Sequence, residues 1–173
     1  MKTKQELVEM AKSGDAHAFA QLYQDIYKDL YHFAYCMMKD EHRAEDVVSE
    51  SVLNAFENLH KLRNADAFRS WIFQITANEC KKQFRLLSKI NPVPDEELPI
   101  PESTLDFTDK VIAKEAFSRL NQEEKFIVGL SVFGGYSGKE IAHFLRKKES
   151  TVRSLKSRAL DKMKQFLEVK SHD

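Results

Sequence analysis

The chain has 173 residues, 42% apolar and 31% charged, with 27 basic and 27 acidic side chains that cancel to a formal net charge of zero. Balanced charge with that much apolar content excludes bulk disorder and allows one larger domain or two small ones, each with its own core. Five glycines and four prolines are too few for many hairpins, two cysteines make no disulfide framework, and no apolar run approaches the roughly 20 residues of a membrane span.

The segment Met1–Glu9 is charged and lacks the apolar core of a secretory signal, which points to a cytoplasmic protein. Lys4–Lys12 reads as a short amphipathic helix. Asp15 is placed to cap a helix running through Phe19, Leu22, Tyr23, Ile26, Leu30 and Phe33, which recur at spacings of three and four. Asp40 caps the next, with Ala44, Val47, Val48, Val52, Leu53 and Phe56 as its apolar line. Asp66 caps a fourth, with Phe68, Trp71, Ile72, Ile75 and Ala77 as its stripe, so Trp71 is expected in the core. The short connections predict antiparallel neighbours, as in a bundle.

The pattern then stops. All four prolines fall within Asn91–Glu102, among Asp95, Glu96, Glu97 and Glu102. Each proline lacks a backbone donor and pushes its predecessor out of helical conformation, so this reads as an extended, acidic linker. The expected architecture is all-α, with two small helical domains at 1–85 and 109–173 and a linker at 86–108. The zero net charge hides an asymmetry: these three segments carry −1 for the first domain, −4 for the linker and +5 for the second domain. A local basic footprint of this kind is usual in nucleic-acid binding.

In the basic third, Asn121 with Glu124 and Ser137 with Glu140 are two capping-box patterns, separated by the breaker Gly134-Gly135. The first helix carries Phe126, Ile127, Leu130 and Phe133, and the second Ile141, Ala142 and Leu145. After the basic turn Arg146-Lys147-Lys148, a last helix beginning at Glu149 or Ser150 carries Val152, Leu155, Ala159, Leu160, Met163 and Phe166. Two helices joined by so short a turn suit a helix-turn-helix. Its second helix presents Arg153, Ser154, Lys156, Ser157 and Arg158. Arginines can read guanine edges, hydroxyls and lysines suit phosphates, and Ser137 and Thr151 lie at helix N-termini, where free amides favour phosphate.

Leu120-Asn121-Gln122-Glu123-Glu124, Gly135-Tyr136-Ser137-Gly138-Lys139-Glu140-Ile141-Ala142, Thr151-Val152-Arg153-Ser154 and Arg158-Ala159 resemble the DNA-binding fourth region of RNA polymerase sigma factors of the small extracytoplasmic-function (ECF) class. Leu22-Tyr23, Leu30-Tyr31, Ala34-Tyr35, Asp40, Ala44-Glu45-Asp46-Val47-Val48 with Glu50, and Phe68-Arg69-Ser70-Trp71-Ile72 with Ile75 and Asn78 resemble that family's second region, in the same order. The resemblance covers about Gln21–Arg85 and Glu115–Leu167. It departs at Arg146-Lys147, where the family has glycine and an aliphatic residue, at Leu155-Lys156, and at Ser49 and Val52.

The resemblance implies a sigma factor that binds core RNA polymerase and starts transcription at chosen promoters. The helix carrying Ala44–Asn58 would bind the clamp helices of the polymerase large subunit, through Glu45, Asp46, Glu50, Asn54 and Glu57. The segment His60–Ala67 and the helix after it would melt promoter DNA near position −10, with Lys61, Arg63, Asn64, Arg69, Asn78, Lys81 and Lys82 as donors and Arg85 beside them. Ser137, Lys139, Thr151, Arg153, Ser154, Ser157 and Arg158 would contact the −35 element. An anti-sigma factor is an implied partner. A stand-alone helix-turn-helix regulator and a sigma-like decoy that binds protein but not DNA remain alternatives. No cofactor is expected. His32 and Cys36, four apart, are two ligands where a structural zinc wants four, so no metal is expected. No nucleophile is paired with a base, so the chain is not expected to be an enzyme.

Overall fold

The computed structural model describes residues 1–90 and 109–170, and all regular structure among them is helical. The chain divides into two compact units, Met1–Ile90 and Asn91–Asp173. The proline-bearing stretch expected to link them falls on 91–108, outside the described residues.

The first unit holds α1 (Lys4–Lys12), α2 (Ala16–Gln24), α3 (Tyr27–Met38), α4 (Glu41–Glu57) and α5 (Phe68–Ile90), with 3-10 turns at Leu59–Lys61 and Ala65–Ala67 between the last two. Asp15 caps α2 by accepting from the amides of His17 and Ala18, and Asp40 caps α4 by accepting from Arg43. The single helix expected from Asp15 through Phe33 is in fact two. The Ile26 amide closes on the Tyr23 carbonyl at 3.0 Å, and Ile26 itself sits at φ −118°, ψ −6°. The bend keeps Leu22 and Ile26 both buried while α2 packs on α1 and α3 packs on α4 and α5.

The core of this unit is aromatic. Phe33 meets Phe73 edge-on at 5.8 Å, and Phe19 meets Phe56 and Phe68 at 5.1 and 6.0 Å. Such pairs add to the burial of apolar area. On α4 the inward line is Ala44, Val47, Val48, Ser51 and Ala55, and Ser51 donates to the Val47 carbonyl. Leu53, expected inside, lies two residues from both Ser51 and Ala55, so it projects from the opposite side and is 59% exposed. On α5 the buried set is Phe68, Ile72, Phe73, Thr76, Ala77, Glu79 and Cys80, while Trp71 and Ile75 are only half-buried. Asn64, not Asp66, provides the cap at this point, accepting from the Asp66 amide. The helix runs five residues past 85, the expected boundary of the first domain. Leu86–Ile90 contains no breaker, and the first proline stands at 92.

The second unit holds α6 (Asp109–Ser118), α7 (Gln122–Val132), α8 (Gly138–Leu145) and α9 (Glu149–Lys170), and the other three all pack on α9. Both expected capping boxes form, Asn121 with Glu124 and Ser137 with Glu140. α7 is buried on every side from Glu124 to Leu130. A helix so enclosed must satisfy its polar side chains internally. Glu124 does so by accepting from the Asn121 amide at 3.0 Å and from Lys162 of α9 at 2.5 Å. A Cβ on Gly134 would stand 2.8 Å from the Leu130 carbonyl oxygen, and Gly135 has φ +70°, so this turn requires both glycines. Leu160, expected in the core, is 43% exposed, because Val152 and Ala159 set the buried line of α9.

Candidate nucleic-acid interface

The outer face of α4 presents Glu45, Asp46, Glu50, Asn54 and Glu57, all exposed and all on one helix. Helical spacing puts Leu53 in their midst, between Asp46, Glu50 and Glu57. Glu45 forms one edge, close to α3. Burial first, then the charges of Glu41 and Glu45, push the Tyr31 phenol above its ordinary range. Tyr31 belongs to a run of ring contacts, Tyr23–Tyr27–Tyr31–Tyr35, with centroids 5.6, 6.4 and 6.3 Å apart.

Asn54 forms the other edge and looks into a groove of about 510 Å³ between α4 and α5. Asn78, Lys82, Arg85 and Lys89 of α5 line it, with Ile75 and Leu86 as its apolar part. Inside the groove lies Glu79, whose side chain is 11% exposed and accepts from Lys82 Nζ at 2.8 Å. That hydrogen bond, and next the charge behind it, hold Lys82 more firmly protonated than an ordinary lysine. The sequence reading missed Glu79 and Lys89. The one signal for Glu79 was its position three residues before Lys82, the spacing at which helical side chains meet.

The other donors expected near the −10 element are distributed differently. Lys61 lies in the first 3-10 turn and donates to Asn58 Oδ1 at 2.6 Å, while Asn58 donates in turn to Asn54 Oδ1 at 3.1 Å. Arg63 and Asn64 are exposed in the same loop, with Asn64 engaged as the cap. Lys81 is half-buried on α5. Arg69 is held inside its own unit: it donates to Asp29 of α3 at 2.8 Å and its guanidinium lies over the Phe73 ring at 5.2 Å. It braces α3 against α5 rather than standing open beside Asn78.

In the second unit α8 and α9 form the helix-turn-helix. Arg146 ends α8 in the left-handed region, at φ 55°, ψ 45°. The Lys147 amide reaches back to Ala142 at 2.9 Å and the Arg146 amide to His143 at 3.3 Å, the pattern of a Schellman stop. Lys147 Nζ also pairs with Glu123 of α7 at 2.8 Å. The irregular turn is therefore a regular helix stop made without glycine. Beyond it Thr151, Arg153, Ser154, Ser157 and Arg158 are exposed on α9, opposite buried Val152 and Ala159. Arg153 leans on Glu149 at 3.5 Å yet stays 78% exposed. Ser137 is engaged as the α8 cap, with Lys139 exposed beside it, and Ser154 donates to the Ser150 carbonyl. The described residues contain no group of three or more side chains able to hold a metal, and no helix among them is long and apolar enough to cross a membrane.

A groove of amides and cations beside an acidic helix face, and a separate helix-turn-helix with an exposed basic comb, define a two-part helical DNA-binding protein. Two family models match, Sigma-70 region 2 over residues 22–90 and Sigma-70 region 4 over residues 116–165. The chain is 26% identical over 163 residues to the ECF RNA polymerase sigma factor SigM of Mycobacterium tuberculosis, spanning 94% of this chain and 83% of that one. It is 28% identical over 171 residues to the ECF sigma factor BldN of Streptomyces coelicolor, spanning 94% of this chain and 65% of that one. Among solved structures, the sigma factor RpoE of Bartonella quintana, in complex with the anti-sigma factor NepR, shares the fold with a TM-score of 0.71 at 22% identity, over 87% of this chain and 97% of that one. CnrH, in complex with the cytosolic domain of CnrY, does so with a TM-score of 0.65 at 22% identity, over 94% and 96%. The chain belongs to the sigma-70 family of RNA polymerase sigma factors, in its ECF class. It is a promoter-directing sigma factor.

Proposed function

We propose that the two units divide the work of initiation. Residues 1–90 bind core polymerase and open the −10 region, and residues 109–170 grip the −35 element. The observation that carries the first assignment is the outer face of α4, where Asp46, Glu50 and Glu57 ring a leucine that is 59% exposed. An apolar centre with a charged rim suits a protein partner. The acids steer a basic surface in, and Leu53 supplies the area removed from water. Glu45 and Asn54 complete the margin.

Beside it, Lys61, Arg63 and Asn64 of the loop and Asn78, Lys81, Lys82 and Arg85 of α5 offer donors to a separated strand. Asn54 and Lys82 line one groove, so the polymerase face and the strand path adjoin. In the second unit Arg153 and Arg158 face the major groove, with Ser137, Lys139, Thr151, Ser154 and Ser157 as phosphate and groove contacts. An anti-sigma factor is a partner, in keeping with the complexes formed by RpoE and CnrH. The protein acts in the cytoplasm, where polymerase and DNA are, and performs no catalysis of its own.

Run-off transcription with purified core polymerase on genomic fragments tests this. The wild-type chain supports transcripts with defined starts, and Leu53→Asp with Glu50→Arg abolishes both transcription and capture of the polymerase. Absence of transcripts with the wild-type chain would sink the reading.

A further inference from the structure

The loop between α4 and α5 is built unlike the rest of its unit. Its backbone bonds among the described residues are local: Lys61 to Asn58, Leu62 to Leu59 and Ala67 to Asn64. What holds its course is a row of buried side chains, Leu59, Leu62 and Ala65. α1 packs on both of its 3-10 turns. Val8 of α1 is fully buried and Ala11 nearly so. The region 2 match begins at residue 22, so α1 precedes it.

The placement of α1 depends on a tight hinge. Gly14 has φ +94°, its amide reaches Ala11, and the Asp15 amide reaches Met10 at 3.1 Å. Asp15 then caps α2 at once. A Cβ on Gly14 would meet nothing within 4 Å, so the cost of a side chain there begins with the backbone angle rather than with a clash at Cβ. The hinge fixes the direction of α1, and α1 fixes the loop.

We propose that α1 is a positioning element for promoter opening, with Val8 as its anchor on the 58–67 loop and Gly14 as the hinge that aims it. Neither residue touches DNA or polymerase. They act by holding Lys61, Arg63 and Asn64 in one arrangement, so that the loop does not have to be ordered when the strand arrives. This rests on the reading that the loop opens the −10 region.

The test uses the full chain with core polymerase on a duplex promoter, reading strand opening by permanganate reactivity of unpaired thymines. Capture of polymerase is read in parallel. Gly14→Val forces a branched residue into a backbone region it disfavours, and we expect opening to fall about tenfold with polymerase capture unchanged. Gly14→Asn, which tolerates positive φ better, should restore most of it. Val8→Ala should lower opening in the same selective way, and Val8→Ile should stay near wild type. The proposal is overturned if Gly14→Val opens the promoter as well as wild type, or if every variant loses polymerase capture in step with opening, which marks α1 as a mere part of the fold. Failure of the wild-type chain to open the promoter would instead overturn the function on which the proposal rests.

Discussion

Several of the cations expected to meet DNA are held in contrasting ways in the two units. In the first, Lys82 donates to Glu79, Arg69 to Asp29 and Lys61 to Asn58, at 2.8, 2.8 and 2.6 Å. In the second, Arg153 is 78% exposed beside a loose contact to Glu149, and Arg158 is exposed with no ion-pair partner among the described residues. On the proposed division of work, the first unit would meet a strand with donors already aligned by neighbours, and would have to exchange those partners to bind it. The second would meet intact duplex with an open comb, whose gain would be release of counterions from the phosphates. Preorganised donors favour selectivity, and open ones favour fast, salt-dependent capture.

The largest effect should appear in the core of the first unit. Phe73 is fully buried and edge-on to Phe33, so Phe73→Ala should cost about 3–5 kcal/mol in denaturant unfolding. It should abolish opening and polymerase capture together. A loss under 1 kcal/mol would show that the aromatic cluster does not organise the first unit.

Substitution of the open cations should sharpen the comparison most directly. Arg153→Ala and Arg158→Ala should each weaken promoter binding by about 1–3 kcal/mol and flatten its salt dependence, with thermal stability unchanged. Arg69→Ala should do the reverse. It should lower stability by up to about 1 kcal/mol through the half-exposed Asp29 pair, with little change in the salt slope. If Arg69→Ala alters the salt slope as Arg153→Ala does, the two units do not differ as described.

A smaller effect concerns backbone. Lys39 and Arg146 both end helices in the left-handed region, at φ 54° and 55°. Arg146→Gly removes the steric penalty and should raise the unfolding free energy by an amount on the order of 0.5–1 kcal/mol, read as a higher melting temperature. A destabilised Arg146→Gly would mean that the arginine side chain holds the turn.

The smallest effect is in alkali. Burial, then the nearby Tyr27, pushes Tyr23 up to about 12 from 10.0. The neutral phenol is thus favoured in the folded state. Its contribution is complete below pH 10 and lost as pH climbs from 10 towards 12. Tyr23→Phe should therefore flatten the alkaline limb of the stability curve, and absorbance titration of the phenolates should show one late transition removed in that variant.

Much of the fold could be read from the sequence because its signals are local. Asp15, Asp40, Asn121 and Ser137 cap the helices they were expected to cap, since a cap needs only a short polar side chain and the next two or three amides. The helix-turn-helix was read for the same reason. The misses were of another kind. Leu53 and Leu160 were counted as core because they are apolar and near the right spacing. Which side of a helix is covered depends on neighbours from elsewhere in the chain. The break at Ile26 escaped notice because nothing in Asp25-Ile26 forbids helix; packing on two different partners imposes the bend.

The turn at Arg146–Lys148 shows where the two sources of information divide. By itself the sequence determined that a short basic turn joins two helices, that these carry a sigma-like DNA-binding pattern, and that a second matching region precedes them in order. Composition, caps and periodicity suffice for that, since each acts over a few residues. Packing in three dimensions sets Arg146 in the glycine conformation, with Lys147 tied to Glu123. It also decides that Arg69 braces a core while Lys82 lines a groove, and that α1 lies across the loop. These depend on which distant side chains arrive at the same place, a long-range consequence of packing that local periodicity does not encode.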